Sequence, residues 1–287
     1  MSDSYVLSLD RRNPAFDSAI PSALEVDPGA VVTFETGDDA YARLAAGERV
    51  EEIGLENFNL VTGPVAVRGA EPGDALRLDV LSITVHRAWS VWLPGFGGLG
   101  GRTDEMGVRE IPLENGIARI GEIGVPVEPM IGCIGLAPAT GASSTFMPAY
   151  PWGGNMDLRE LSPGATLFLP VQVPGGLLSL GDLHAAMGAA EPTWVSLEAA
   201  GRATLRIGLE KAMGITVPRL RVDGATICVG MGETHAEAYQ SAIDQAYDLL
   251  VADGLELFDA YAFASARVGM RLGGPAAPIV LAVVPDW

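Results

Sequence analysis

The sequence predicts an α+β fold that is predominantly β, with a β-sandwich-like N-terminal part and a β-rich C-terminal part carrying one or two helices. Three observations predict it. Apolar and polar residues alternate in many short runs, the signature of half-buried strands. Gly (36) and Pro (20) interrupt those runs densely, as turns between strands require. Convincing helical spacing begins only after residue 234. At 287 residues the chain can form one large or two modest domains with a sizeable core. The expected division is a β-rich 1–160 and an α+β 161–287, packed intimately enough to act as one unit.

Taken in order, Ala30 to Thr36 and Val65 to Arg68 are the first clear strand candidates. Ala75 to Val85 alternates best, with Leu76, Leu78 and Val80 carrying the apolar face. A turn at 69–74 precedes it, where Pro72 presets φ and Gly73 is free to take a positive one. The glycine-rich 94–101 run reads as a loop. It lacks a following helix of the kind that cradles phosphate, which argues against a nucleotide site. Residues 117–136 read as strand, turn, strand, and 138–151 as a loop of small residues. Strands are then expected at 167–173, 176–180, 203–209 and 225–229. Thr234-His-Ala-Glu237 is a capping box. Tyr239, Ile243, Ala246, Tyr247 and Leu250 follow at helical spacing until Gly254 ends the run. A second helix is expected near 256–267, and a buried strand at 277–284.

The charge balance excludes some partners. With 18 Lys+Arg against 36 Asp+Glu, the net charge of −18 leaves no basic surplus for nucleic acid. The longest apolar run is far short of the ~20 residues a membrane span needs, so a soluble, cytoplasmic protein is expected. Cys133 and Cys228 lie in apolar runs and read as buried reduced thiols.

Two short segments carry the chemistry. Gly153-Gly-Asn-Met-Asp157 places Asn155 and Asp157 two residues apart, and Gly181-Asp-Leu-His184 does the same for Asp182 and His184. In extended chain such pairs face one way, so the two could converge on a single cavity. Carboxylate and neutral imidazole together suit a divalent ion, most naturally Zn²⁺. An ion pair at a strand end, or an Asx turn before Leu158, would explain the same residues without chemistry. Glu191 is a general-base candidate if the chain folds back over the cavity, and Asp38 could add a carboxylate from the N-terminal half. Trp152 and Tyr150, with Phe146 nearby, form an aromatic patch that could wall a substrate pocket. His86 and His235 have no evident partners, and no Gly-x-Ser-x-Gly elbow supports a serine nucleophile.

These segments do not stand alone. In order come Phe34-Glu-Thr-Gly-Asp38, Thr62-Gly-Pro-Val, Gly69-Ala-Glu-Pro-Gly-Asp74 and Pro94-Gly-Phe-Gly-Gly-Leu-Gly100. Glu128-Pro-Met-Ile-Gly-Cys-Ile-Gly-Leu-Ala-Pro138, Gly153-Gly-Asn-Met-Asp157, Leu169-Pro-Val171 and Gly181-Asp-Leu-His-Ala-Ala-Met-Gly188 complete the set. Together they resemble the acetamidase/formamidase family. The resemblance implies a soluble, β-rich, homo-oligomeric, metal-dependent hydrolase that cleaves short amides to a carboxylate and ammonia. Its matching polar positions are Asp38, Asn155, Asp157, Asp182, His184 and Glu191. Asp182, His184, Asp157 and Asp38 are then expected as metal ligands, Glu191, His184 and Asp182 as catalytic groups, and Trp152, Asn155 and Tyr150 as substrate contacts.

The chain departs from the family pattern at three of these neighbouring positions. Trp152 stands where members often carry His, and Ala189-Ala190 where Asp-Gly is usual. The departures point to a small-molecule substrate larger and more apolar than formamide, and they leave open a site without metal. Two alternatives to metal-assisted hydrolysis therefore stand. One is a biosynthetic relative doing metal-independent acid–base chemistry, a cyclisation or rearrangement, on an apolar substrate. The other is a non-catalytic small-molecule binder.

Overall fold

Among the described residues, the strands join one sheet of seventeen, accompanied by accessory sheets of three and two strands. The structure, a computed structural model, describes residues 4–287. The fold is α+β and predominantly β, as the alternation predicts. Strands from both halves of the sequence pair directly: Ala75–Trp92 runs antiparallel to Glu198–Glu210, and Met130–Gly135 to Leu178–His184. One hydrophobic core accordingly draws residues from Leu7 to Leu281. Register shifts at Ala200/Gly201 and Thr204/Leu205 bend the long pair, which lets the sheet curl around that core.

Several elements differ in extent from the sequence reading. Strand Ala75–Trp92 runs on past Val85, because its second half gains partners in Glu198–Glu210 and Gly107–Ile111. Tertiary pairing extends it where local alternation weakens. Two short helices, Asp39–Ala45 and Val50–Ile53, stand in a stretch where the sequence pattern marks no helix. The longer helices lie close to expectation, at His235–Ala252 and Leu257–Arg267, and both arms of the Thr234/Glu237 capping box are formed. Ala238, Ala242, Ala246 and Leu250, spaced by four, pack the first of these onto strands Ala225–Met231 and Ile279–Pro285. Among the described residues, no helix is long and apolar enough to cross a membrane. Both cysteines are buried and free.

Three strands position the chemistry. Met130–Gly135 lies between Gly153–Asn155 on one side and Leu178–His184 on the other. The registers set Cys133 opposite both Asn155 and Gly181, so the two predicted segments meet across a single strand.

Candidate active site

Gly132 is where the two segments close on each other. The amides of Met156 and Asp157 both donate to its carbonyl oxygen, at 3.1 and 3.2 Å. A Cβ at this position would lie 2.7 Å from Oδ1 of Asp157 and 2.7 Å from Oδ2 of Asp182. Only a missing side chain leaves room for both carboxylates. Asp157, Asp182 and Glu191 all take positive φ (46°, 54° and 40°). For residues with a Cβ this left-handed backbone costs roughly 1–3 kcal/mol each, and such strain concentrates at functional sites.

His184 is the centre of the group. Its Nε2 lies 3.4 Å from Glu198 Oε2, 3.5 Å from Asp182 Oδ1 and 3.9 Å from Asp157 Oδ1. These separations sit beyond the ~2.7–3.2 Å of a good N–H···O bond. They are close to the spacing between two donors on one tetrahedral ion, about 3.3 Å for metal–ligand bonds of ~2.0–2.1 Å. Asp157, His184 and Glu191 form one set of convergent donors, and Asp182, His184 and Glu198 a second that shares the imidazole. Nδ1 of His184 and Oδ1 of Asp157 are buried without a hydrogen-bond partner among the described residues. Buried polar atoms are rarely left so.

The remaining carboxylates are held by specific donors. Asn59 Nδ2 donates to Asp182 Oδ2 at 2.8 Å and to Asn155 Oδ1 at 3.3 Å, while Asn155 Nδ2 donates to the carbonyl of Phe146. The Tyr41 hydroxyl donates to Glu198 Oε2 at 3.1 Å and the Ser196 amide to Glu198 Oε1 at 2.8 Å. The Ser196 hydroxyl donates to Glu191 Oε1 at 2.8 Å.

Four acidic side chains around one imidazole create a strong electrostatic demand. If all ionised, the group would carry three net negative charges in a water-poor environment, a state proteins avoid without a counter-cation. Burial pushes the Glu198 carboxyl up to about 8; His184 pulls it down, while Asp182 and Glu191 push it further up. Burial likewise raises Asp157, with Glu191 adding to the effect. Glu191 rises for the same reason, partly offset by His184 and the Ser196 hydroxyl. For His184, burial disfavours the imidazolium, but Glu198 and Asp182 outweigh it and hold its pKa well above the ordinary value. A divalent cation would answer this demand. The unpartnered donors, the two carboxylates that Gly132 lets approach each other and the imidazole–carboxylate chemistry all fit one.

The group forms the floor of a cavity of about 110 Å³. Asn155, Asp157, Asp182, His184 and Glu191 all line it. Asp38, expected as a ligand, does not. Its oxygens are taken by a bidentate Arg87 (2.5 and 2.6 Å) and by the indole N–H of Trp89 at 2.6 Å. From the N-cap of helix Asp39–Ala45, Asp38 thereby fixes the element that carries Tyr41 to Glu198. Trp152 and Tyr150 are also absent from the lining. Their rings stack on each other, 5.1 Å apart and 7° from parallel. The aromatic walls come instead from Tyr41, Phe58, Phe96, Phe146 and Trp194. Sequence reasoning missed Glu198, Asn59, Tyr41 and Ser196, which reach the floor from three different stretches of the chain. A buried acid opening the alternating strand at 198 is the one local signal that could have marked any of them.

Comparison with known proteins bears on the family and the fold. The acetamidase/formamidase family model matches residues 10–141 and 138–282. A predicted acetamidase/formamidase from the thermophile Thermoanaerobacter tengcongensis superposes with a TM-score of 0.92 at 28% identity, covering 100% of this chain and 97% of its own. An acetamidase from Bacillus halodurans superposes at 0.89 with 30% identity, covering 97% and 95%. A putative formamidase of Schizosaccharomyces pombe is 25% identical over 74% of this chain and 69% of its own length. The ordered motifs, the curled sheet and the family match across nearly the whole length lead to one conclusion: the chain belongs to the acetamidase/formamidase family.

Proposed function

We propose that this protein hydrolyses the C–N bond of a small amide, with a divalent ion, Zn²⁺, held by His184, Asp157 and Asp182. The observation that carries the reading is the convergence of one imidazole and four acids, three of them buried and the Asp182 side chain nearly enclosed, on a cavity floor where two donors lack partners. Membership of a family whose named relatives include an acetamidase and a formamidase supports the reaction class. When bound, the ion supplies Lewis acidity, polarising a carbonyl and acidifying water.

The protein's own groups do the rest. Glu191, steadied by the Ser196 hydroxyl, takes a proton from the attacking water and returns it to the departing nitrogen. Burial raises its pKa toward the range where a carboxyl serves both as base and as acid. Asn59 orients the Asp182 carboxylate, and Tyr41 with the Ser196 amide fixes Glu198 against the imidazole. The apolar walls keep bulk water from the floor, which strengthens every electrostatic contact there.

Elemental mass spectrometry of untagged protein tests the reading, paired with an amide-hydrolysis assay. About one equivalent of a transition metal is expected in wild type and none in His184→Ala. Chelation should abolish hydrolysis and added zinc restore it. Folded, metal-free wild type that hydrolyses amides regardless of chelator would overturn the role of the ion.

A further inference from the structure

We infer that the substrate is a primary amide with a bulky, uncharged, apolar acyl group. This rests on the amidase reading above and names its substrate class. The cavity is sharply divided. Every charged side chain that lines it (Asp157, Asp182, His184, Glu191 and Glu198) belongs to the floor. Above the floor the lining is uncharged, led by Tyr41, Leu44, Phe58, Phe96, Phe146 and Trp194. Asp157 and His184 are 1% exposed, whereas Trp194 at the rim is 41% exposed. The rings are braced: Phe96 meets Trp194 edge-to-face with centroids 5.3 Å apart, and Tyr41 meets Phe58 at the same distance.

The chemistry of the floor orients the amide. The floor presents hydrogen-bond acceptors, which suit the N–H groups of an unsubstituted nitrogen. The carbon side of the substrate must then lie along the apolar walls. Among the described residues no Lys or Arg lines the cavity, and the two asparagine amide groups at its base already donate to Asp182, Asn155 and Phe146. An acyl group bearing a carboxylate finds no partner and faces an acidic floor. A saturated chain or a phenyl ring finds matching surface.

The test is a series of amides on zinc-loaded protein: acetamide, butyramide, hexanamide and phenylacetamide, with N-benzylformamide as the isomer that carries its bulk on nitrogen. The value of kcat/KM should rise roughly fourfold per buried methylene, about a hundredfold or more from acetamide to hexanamide. N-Benzylformamide should not be cleaved. Phe58→Ala and, at the rim, Trp194→Ala should each flatten the series, lowering the hexanamide-to-acetamide ratio at least fivefold, while Phe58→Leu keeps most of it. Acetamide turned over as well as hexanamide, or N-benzylformamide preferred to phenylacetamide, would overturn the inference and leave the amidase reading intact. Calorimetric titration with phenylacetamide and acetamide separates the opposite case. If no amide is hydrolysed yet phenylacetamide binds at least tenfold tighter, the pocket assignment stands and the hydrolytic reading falls. Equal or absent binding overturns the assignment whatever the kinetics.

Discussion

The cavity floor and the C-terminal helical layer are built by opposite rules. In the helical layer each level of the sequence agrees. A capping box starts helix His235–Ala252, alanines recur every fourth residue, and the buried face meets an apolar strand pair. On the floor the levels conflict. Acids are buried, residues with side chains take left-handed backbone, and a strand glycine leaves a gap for carboxylates rather than for packing. Consistency across levels makes a sequence fold, and departures from it mark the places where something other than stability is being satisfied. The contrast teaches that the information for function lies where the rules for folding are broken.

One pair of matched substitutions breaks the comparison most directly. Gly132→Ala drives a Cβ into Asp157 and Asp182. We expect loss of bound metal by elemental analysis and a fall in amide turnover of at least a hundredfold, with the circular dichroism spectrum kept. Gly230→Ala is the counterpart in the helical layer, considered below. Retained metal and activity in Gly132→Ala would remove the floor from the account.

The pH dependence of stability comes next in size. Glu198 titrates near 8 in the folded metal-free protein, against a model-peptide value of about 4.3. The folded state therefore holds the extra proton between those values, and stability falls as pH rises through that window. Thermal melts of metal-free protein should lose stability from about pH 4.5 to 8. Added zinc should stabilise the protein progressively more as pH rises, because binding displaces protons. A metal-free curve that climbs through the window would contradict the buried-acid picture.

Smaller effects sharpen the other side. A Cβ on Gly230 would overlap the Ala238 carbonyl oxygen and crowd Ala242. Overpacking of this kind costs about 1–3 kcal/mol, so denaturant melts of Gly230→Ala should show that loss while kcat of the folded protein holds. Thr234→Ala removes the side-chain acceptor for the Glu237 amide and should cost about 1 kcal/mol, with no change in catalysis. A kcat change in either would couple the helical layer to the site.

The same contrast explains what could be read from sequence. Helix His235–Ala252 was legible because its cap, period and stop lie in one short stretch. Asp182 and His184 were legible as an Asp-x-His pair, and the family motifs pointed to Asn155, Asp157 and Glu191. Asp38 was placed among the ligands because a carboxylate after a strand looks the same whatever it meets; only tertiary structure reveals Arg87 and Trp89 beside it. Trp152 stood next to Gly153 in sequence and was assigned to the cavity, but sequence adjacency does not set direction, and its ring turns onto Tyr150. Glu198 was invisible for the converse reason. It is isolated in sequence, and strand pairing with Leu178–His184 puts it directly opposite His184.

The left-handed backbone at Asp157, Asp182 and Glu191 has a consequence for anyone who sets out to improve this protein. Glycine at any of the three would relieve backbone strain, and at each it would also remove an acid of the cavity floor. Heat-resistance screens reward changes of that kind, since activity and stability trade against each other where a site is strained. A library selected for melting temperature alone would therefore accumulate its gains on the cavity floor and dismantle the enzyme while perfecting the fold. Selection has to hold turnover and stability together.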